Sequence, residues 1–129
     1  MKGAASLLLL PKIKEGAVVP KMNHQFKLSP TEFEVQATAY TVLSKYYPLV
    51  RGELKIKPPF GRGARFDLLV FDDDMNLLFT IEVKDNPKTT EHSKKAYYEK
   101  VSGVPNYLIA GMDQARDAIN VIIKQIKQG

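Results

Sequence analysis

Residues 64–84 read ARFDLLVFDDDMNLLFTIEVK, two apolar stretches separated by an acidic turn. Alternation along each stretch predicts strands over 65–72 and 77–84, joined by the turn DDMN. Both faces of both strands are apolar over most of their length, which suits central strands covered on two sides. LVRGELKIK at 49–57 predicts an earlier strand, ended by Pro58-Pro59 and the loop FGRGAR, and PNYLIAG at 105–111 a fourth. The segments between carry helical spacing. Ser29, Pro30 and Glu32 make an S-x-x-E start for a helix running to about Tyr47, before Pro48. A second helix spans 91–103 and closes at Gly103; Asp113 caps a last one, with Ile119, Ile122, Ile123 and Ile126 on one face. The order is helix, three strands, helix, strand, helix. It predicts an α/β domain over 29–129, with a central mixed β-sheet flanked by helices on both faces. Residues 1–28 read as an N-terminal arm, a candidate strand pair in which Pro11 and Pro20 favour edge or irregular structure.

Composition narrows the class. A chain of 129 residues fits one core, and 44% apolar with 26% charged residues excludes wholesale disorder. The absence of cysteine excludes disulfides and thiolate zinc sites. The longest apolar run, AASLLLL, is far short of the roughly 20 residues a membrane span needs. Pro11 and Lys12 follow it without a cleavage pattern, so a cytoplasmic location is expected. The net charge of +5 suits a polyanionic partner. His24 and His92 are too far apart in sequence to suggest a histidine metal cluster.

The charges inside the strands carry the chemistry. Glu82 and Lys84 share a face of their strand, and closing the hairpin around Asp74-Met75 sets Asp67 across from Glu82. Adjacent carboxylates repel, and each needs a proton or a cation to stay there. A structural ion pair with Lys84 relieves part of this. A divalent ion on Asp67 and Glu82 relieves the rest, and all-oxygen ligation favours magnesium or manganese. A metal, paired acids and a neighbouring lysine suit phosphodiester hydrolysis. Asp72, Asp73 and Asp74 are read as turn residues with no function, and Tyr97-Tyr98 as core packing.

Asp67, fourteen residues, then Glu82-Val83-Lys84 resembles the D…(D/E)-x-K core of the PD-(D/E)XK nuclease superfamily, which includes many restriction endonucleases and archaeal Holliday-junction resolvases. The element order from Pro30 to Ala110, about two thirds of the chain, is similar to that superfamily's αβββαβ core. Phe66 stands where proline is common in the motif. YYEKVSGVPNYLI also resembles a helix-strand step of restriction-like endonucleases abundant in cyanobacteria.

The resemblance implies a restriction-endonuclease-like fold and a DNA endonuclease dependent on Mg2+ (or Mn2+). Asp67 and Glu82 would be ligands, Lys84 would position water, and a helix glutamate would complete the set. At about 100° per residue, Glu32 falls in the arc of Val35, Ala39, Val42, Leu43 and Tyr46, whereas Glu34 points away. Glu32 is therefore favoured, with the capping box as its alternative role, and Glu34 stays open if the helix starts or bends differently. Gln36 and Tyr40 form a Q-x-x-x-Y spacing that occurs in some such nucleases, but on a different helix. Arg62, Arg65 and Lys94 are the expected DNA contacts. A homodimer is expected, because two sites related by a two-fold axis cut a duplex most simply. The alternative is a catalytically inactive nucleic-acid-binding module on the same fold.

Overall fold

A computed structural model describes residues 30–59 and 61–128. The arm at 1–28 and the Ser29 cap lie outside them. Helix α1 (Pro30–Leu43) leads into strands β1 (Leu49–Ile56), β2 (Ala64–Phe71) and β3 (Leu77–Lys84). Helix α2 (Lys95–Ser102), strand β4 (Asn106–Ala110) and helices α3 (Gly111–Arg116) and α4 (Ala118–Gln128) follow. The four strands form one sheet in the order β1-β2-β3-β4. The first three are antiparallel neighbours and β4 runs parallel to β3, so the sheet is mixed. Among the described residues, no helix is long and apolar enough to cross a membrane.

Both faces are covered. On one, α1, α3 and α4 bury Val35, Leu43, Ile119 and Ile122 against Val50, Leu68, Val70, Phe79, Ile81 and Ile109. On the other, Tyr98 and Val101 of α2 pack on Ala64, Phe66 and Leu69. Phe79 anchors the first face, with its ring 5.4 Å from those of both Tyr47 and Tyr107.

The β2–β3 hairpin has the register expected from the sequence, with Leu68 opposite Ile81 and Val70 opposite Phe79, then a one-residue slip at Phe71. The turn belongs to Asp72. Its Oδ1 accepts from the N–H groups of Asp74 and Asn76, both at 2.9 Å, which leaves Met75 to turn through φ 67°.

Strands β1, β2 and β4 differ from expectation by one residue at their ends, and the helices differ by more. Helix α1 ends at Leu43 rather than Tyr47, and the chain continues as a turn in which the Tyr47 N–H still reaches Leu43 O at 3.1 Å. Helix α2 starts at Lys95 rather than 91, because His92 is held instead by Asn106 of β4, Nε2 to Oδ1 at 2.8 Å. The C-terminal helix is two helices. The first opens at Gly111 (φ 83°) with no side-chain cap, and Asp113 pairs with Arg116 at 3.3 Å instead of capping. Gly111 has no substitute there, since a Cβ would meet Pro87 at 2.7 Å. A break at Asp117 then lets both Ala115 and Ala118 reach the core.

The outer edge of β4 is closed by side chains. Asn106 N–H donates to Glu99 Oε2 (2.9 Å), and Asn106 O accepts from Lys95 Nζ. Leu108 gives its N–H to Gln125 Oε1 (2.9 Å) and takes Gln125 Nε2 on its carbonyl (2.7 Å). Ala110 N–H donates to Gln114 Oε1 at 2.8 Å. Five backbone groups that an edge strand would offer to another chain are thereby occupied. Gln125→Ala should cost about 1–2 kcal/mol in urea unfolding, since it removes two such bonds from a half-buried site. The exposed Gln128→Ala should stay within about 0.5 kcal/mol of the parent.

Candidate functional site

The alternation of β1 and β2 reverses where the two strands face each other across Glu53 and Asp67. On β1, Val50 packs with the α1 face but Leu54 and Ile56 with the α2 face. On β2, Leu68 and Val70 lie on the α1 face, whereas Ala64 and Phe66 lie on the other. Strict alternation would keep 66 and 68 together. Pairing runs from Gly52–Leu68 to Leu54–Phe66, so Glu53 and Asp67 sit at the crossover, and Glu53 absorbs the reversal with φ 57°. Gly52 beside it lies close to Gln36 of α1 and to the Asp67 carbonyl.

On the other side of β2 the ladder to β3 ends at Leu68–Ile81. Beyond that pair the Val83 N–H donates to Asp67 Oδ2 at 2.7 Å, a side chain standing where a backbone acceptor would be. Glu82 is thus brought beside Asp67, with its side chain only 13% exposed. Lys84 Nζ lies 3.1 Å from Glu82 Oε2. The ammonium therefore serves Glu82, while Asp67 is held by backbone.

The electrostatics follow from this burial. Desolvation, then the Glu82 carboxylate, push Asp67 up to about 8, against the opposing pull of the Val83 N–H; Glu53 and Glu32 add to the rise. Glu32, half-buried in the first turn of α1, is raised by burial and then by Asp85, with Lys84 opposing. Lys84 is raised, chiefly by its hydrogen bond to Glu82. Glu34 is exposed. Carboxylates from α1, β1, β2 and β3 thus share one electrostatic neighbourhood.

Does a cation fit? Among the described residues no group of three His, Cys, Asp or Glu side chains is placed to hold a metal ion. The nearest such donors are two carboxylates on neighbouring strands, one of them desolvated so that its ionisation is costly. Magnesium is commonly held by one or two carboxylates together with waters and substrate phosphate oxygens. The pair fits that use and does not form a closed protein cage.

The expected nucleic-acid contacts separate. Arg62 and Lys94 are both exposed, Arg62 in the loop before β2 and Lys94 just before α2. Arg65 alternates with Ala64 and Phe66 and so leaves the other face, where Nη1 lies 3.6 Å from Glu53 Oε1. Core packing holds for Tyr98, whose ring is 5.1 Å from Phe66, but not for Tyr97, which is 41% exposed. One helical step separates the buried face of α2 from its open one.

The sequence assigned no role to Glu53, and it placed Gln36 on the apolar arc without showing that its amide is unpartnered. Glu53 alternates with Arg51 and Lys55 in β1 and so reads as an ordinary polar strand position. Gln36 is fully buried with neither amide atom hydrogen-bonded, one turn along α1 from Glu32. Compared with known proteins, the chain gives no match to a family model, to a curated protein or to a solved structure.

A carboxyl raised in the folded state keeps a proton that the unfolded chain releases near its ordinary value. Between about pH 4 and 8 the folded state binds more protons, so its stability falls as pH rises, by about 1.4 kcal/mol for each pH unit at most. Metal-free protein should therefore unfold at lower temperature at pH 8 than at pH 5, and Asp67→Asn should flatten that slope. An unchanged slope in Asp67→Asn would show that Asp67 titrates ordinarily.

Proposed function

We propose that the chain is a divalent-metal-dependent DNA endonuclease with a restriction-endonuclease-like core. The observation that carries this reading is the half-buried carboxylate pair Asp67 and Glu82, on adjacent strands at the opened end of the β2–β3 ladder, with Lys84 on Glu82. The order α1, β1, β2, β3, α2, β4 around that pair supports the fold assignment.

In this reading Asp67 and Glu82 hold Mg2+ or Mn2+ by their oxygens, and Glu32 adds a carboxylate from α1. When bound, the cation neutralises the phosphate and acidifies a water molecule. Glu53 raises Asp67 and Asp85 raises Glu32, a negative field that a divalent cation would relieve. Lys84, held by Glu82, orients the attacking water or takes up charge developing on the phosphate oxygens. Water attacks phosphorus directly and loses a proton to solvent as the bond to one sugar oxygen breaks; that oxygen leaves as a hydroxyl, with no covalent enzyme intermediate. Arg62, Arg65 and Lys94 contact the phosphate backbone, and a homodimer presents two sites to a duplex.

The decisive experiment is cleavage of linear, supercoiled, single-stranded and branched DNA in magnesium or manganese. Asp67→Ala, Glu82→Ala and Lys84→Ala should each abolish cutting while leaving far-UV circular dichroism unchanged. Cutting by any of these variants at the parent rate would overturn the assignment of roles. Salt-sensitive DNA binding without cutting by the parent would instead favour an inactive binding module.

A further inference from the structure

We propose that the groove between the loop after β1 and helix α2 seats a nucleobase of single-stranded nucleic acid, stacked on Tyr97, with Arg62 and Lys100 on the flanking phosphates. This deepens the reading above. It rests on the nucleic-acid part of that reading and not on the cleavage chemistry.

The groove has a volume of about 340 Å3, and its walls include Pro58, Pro59, Arg62, Tyr97 and Lys100. Tyr97 is one of two exposed large apolar side chains among the described residues. The other, Met75, is accounted for by its place at the hairpin turn, at φ 67°. Nothing in the packing of α2 requires an aromatic ring at position 97, because the helix is already seated through Tyr98 and Val101.

The ring is nonetheless fixed. Its hydroxyl donates to Arg62 O at 2.6 Å, with Gly63 O at 3.3 Å. Gly63 in turn lies so close to the Ile56 carbonyl that a Cβ would not fit. The loop is held from both sides, which orders the groove before any ligand arrives and lowers the entropy cost of binding.

The chemistry of the walls selects the occupant. A tyrosine face and two prolines offer an apolar, π-bearing surface, and Arg62 and Lys100 supply positive charge beside it. No carboxylate is among the described lining residues. A base flanked by phosphates has the matching pattern, a flat π-face with anions on either side. Beside Tyr97, the Tyr98 ring packs on Phe66, next in the chain to Asp67. A strand that continued from the groove past Tyr98 would carry a further phosphate toward Asp67 and Glu82.

The test uses the full chain in chelator, where no cleavage occurs, and a single-stranded oligonucleotide containing 2-aminopurine. Parent protein should quench the 2-aminopurine as the base stacks. Tyr97→Ala should lose the quenching and bind about 5- to 150-fold more weakly, the change that corresponds to about 1–3 kcal/mol per stacked base. Tyr97→Phe, which keeps the ring and loses the hydroxyl tether, should bind within about threefold of the parent. Lys100→Ala should reduce the salt slope of binding by about 0.7. Equal binding by Tyr97→Ala and parent, or equal weakening by Ala and Phe, would overturn the proposal. If Tyr97→Ala binds normally and still cuts DNA in magnesium, the groove fails and the nuclease reading stands. If binding depends on the Tyr97 ring but the parent never cuts, the reverse holds.

Discussion

One hydrogen bond organises the carboxylate-bearing end of the sheet: the Val83 N–H on the carboxylate of Asp67. A buried backbone N–H without an acceptor is costly, and so is a buried carboxylate without donors. Each group answers the other's need, and the result is a sheet that stops pairing β2 with β3 by backbone alone. Beyond that point the strands are free to separate, and Glu82 and Lys84 stand at the opening. The bond does not make Asp67 comfortable as an anion, since burial and Glu82 still hold it near its protonated form. The site is thus built to be neutralised, by a proton when nothing else is present.

The reversal at Glu53 and Asp67 has a second effect. By turning Phe66 toward α2 while Leu68 stays toward α1, it lets two helices on opposite faces grip the same strand on either side of one carboxylate. Movement of Asp67 would have to disturb both packing clusters. Interiors packed at crystal-like density resist such shifts, so the position of the carboxylate is set by the core rather than by its own contacts. Helix α1 brings Glu32 and the buried Gln36 to this point, and α2 brings Tyr98 and, one step around its axis, the open ring of Tyr97.

Much of this was legible in the sequence, for identifiable reasons. β3 was read with its true bounds because LLFTIEVK alternates cleanly between an acidic turn and a polar loop. The Asp72 turn and the closure at Gly103 were legible because aspartate and glycine act there through their own backbone chemistry. What failed depended on distant partners. Helix α2 loses its first turn to a bond between His92 and Asn106, residues on different elements. The single helix expected after Asp113 breaks because the core takes both Ala115 and Ala118. Tyr97 and Tyr98 are adjacent and chemically alike, and no pattern along the chain says which of them faces out. The strand reversal was hidden for the same reason, as the Gly52-Glu53 step looks ordinary until it is set against Asp67.

The closed edge of β4 has a consequence for how copies of this chain combine. A sheet with two open edges can add neighbours without limit, which is the geometry of a fibre. Here Glu99, Lys95, Gln125 and Gln114 occupy the outward backbone groups of β4. Whatever strand joins at β1, the run of strands among the described residues ends at β4 of each copy. Continuation of the sheet between molecules therefore terminates at two, and a pair joined in that way is a finished object rather than the start of a polymer.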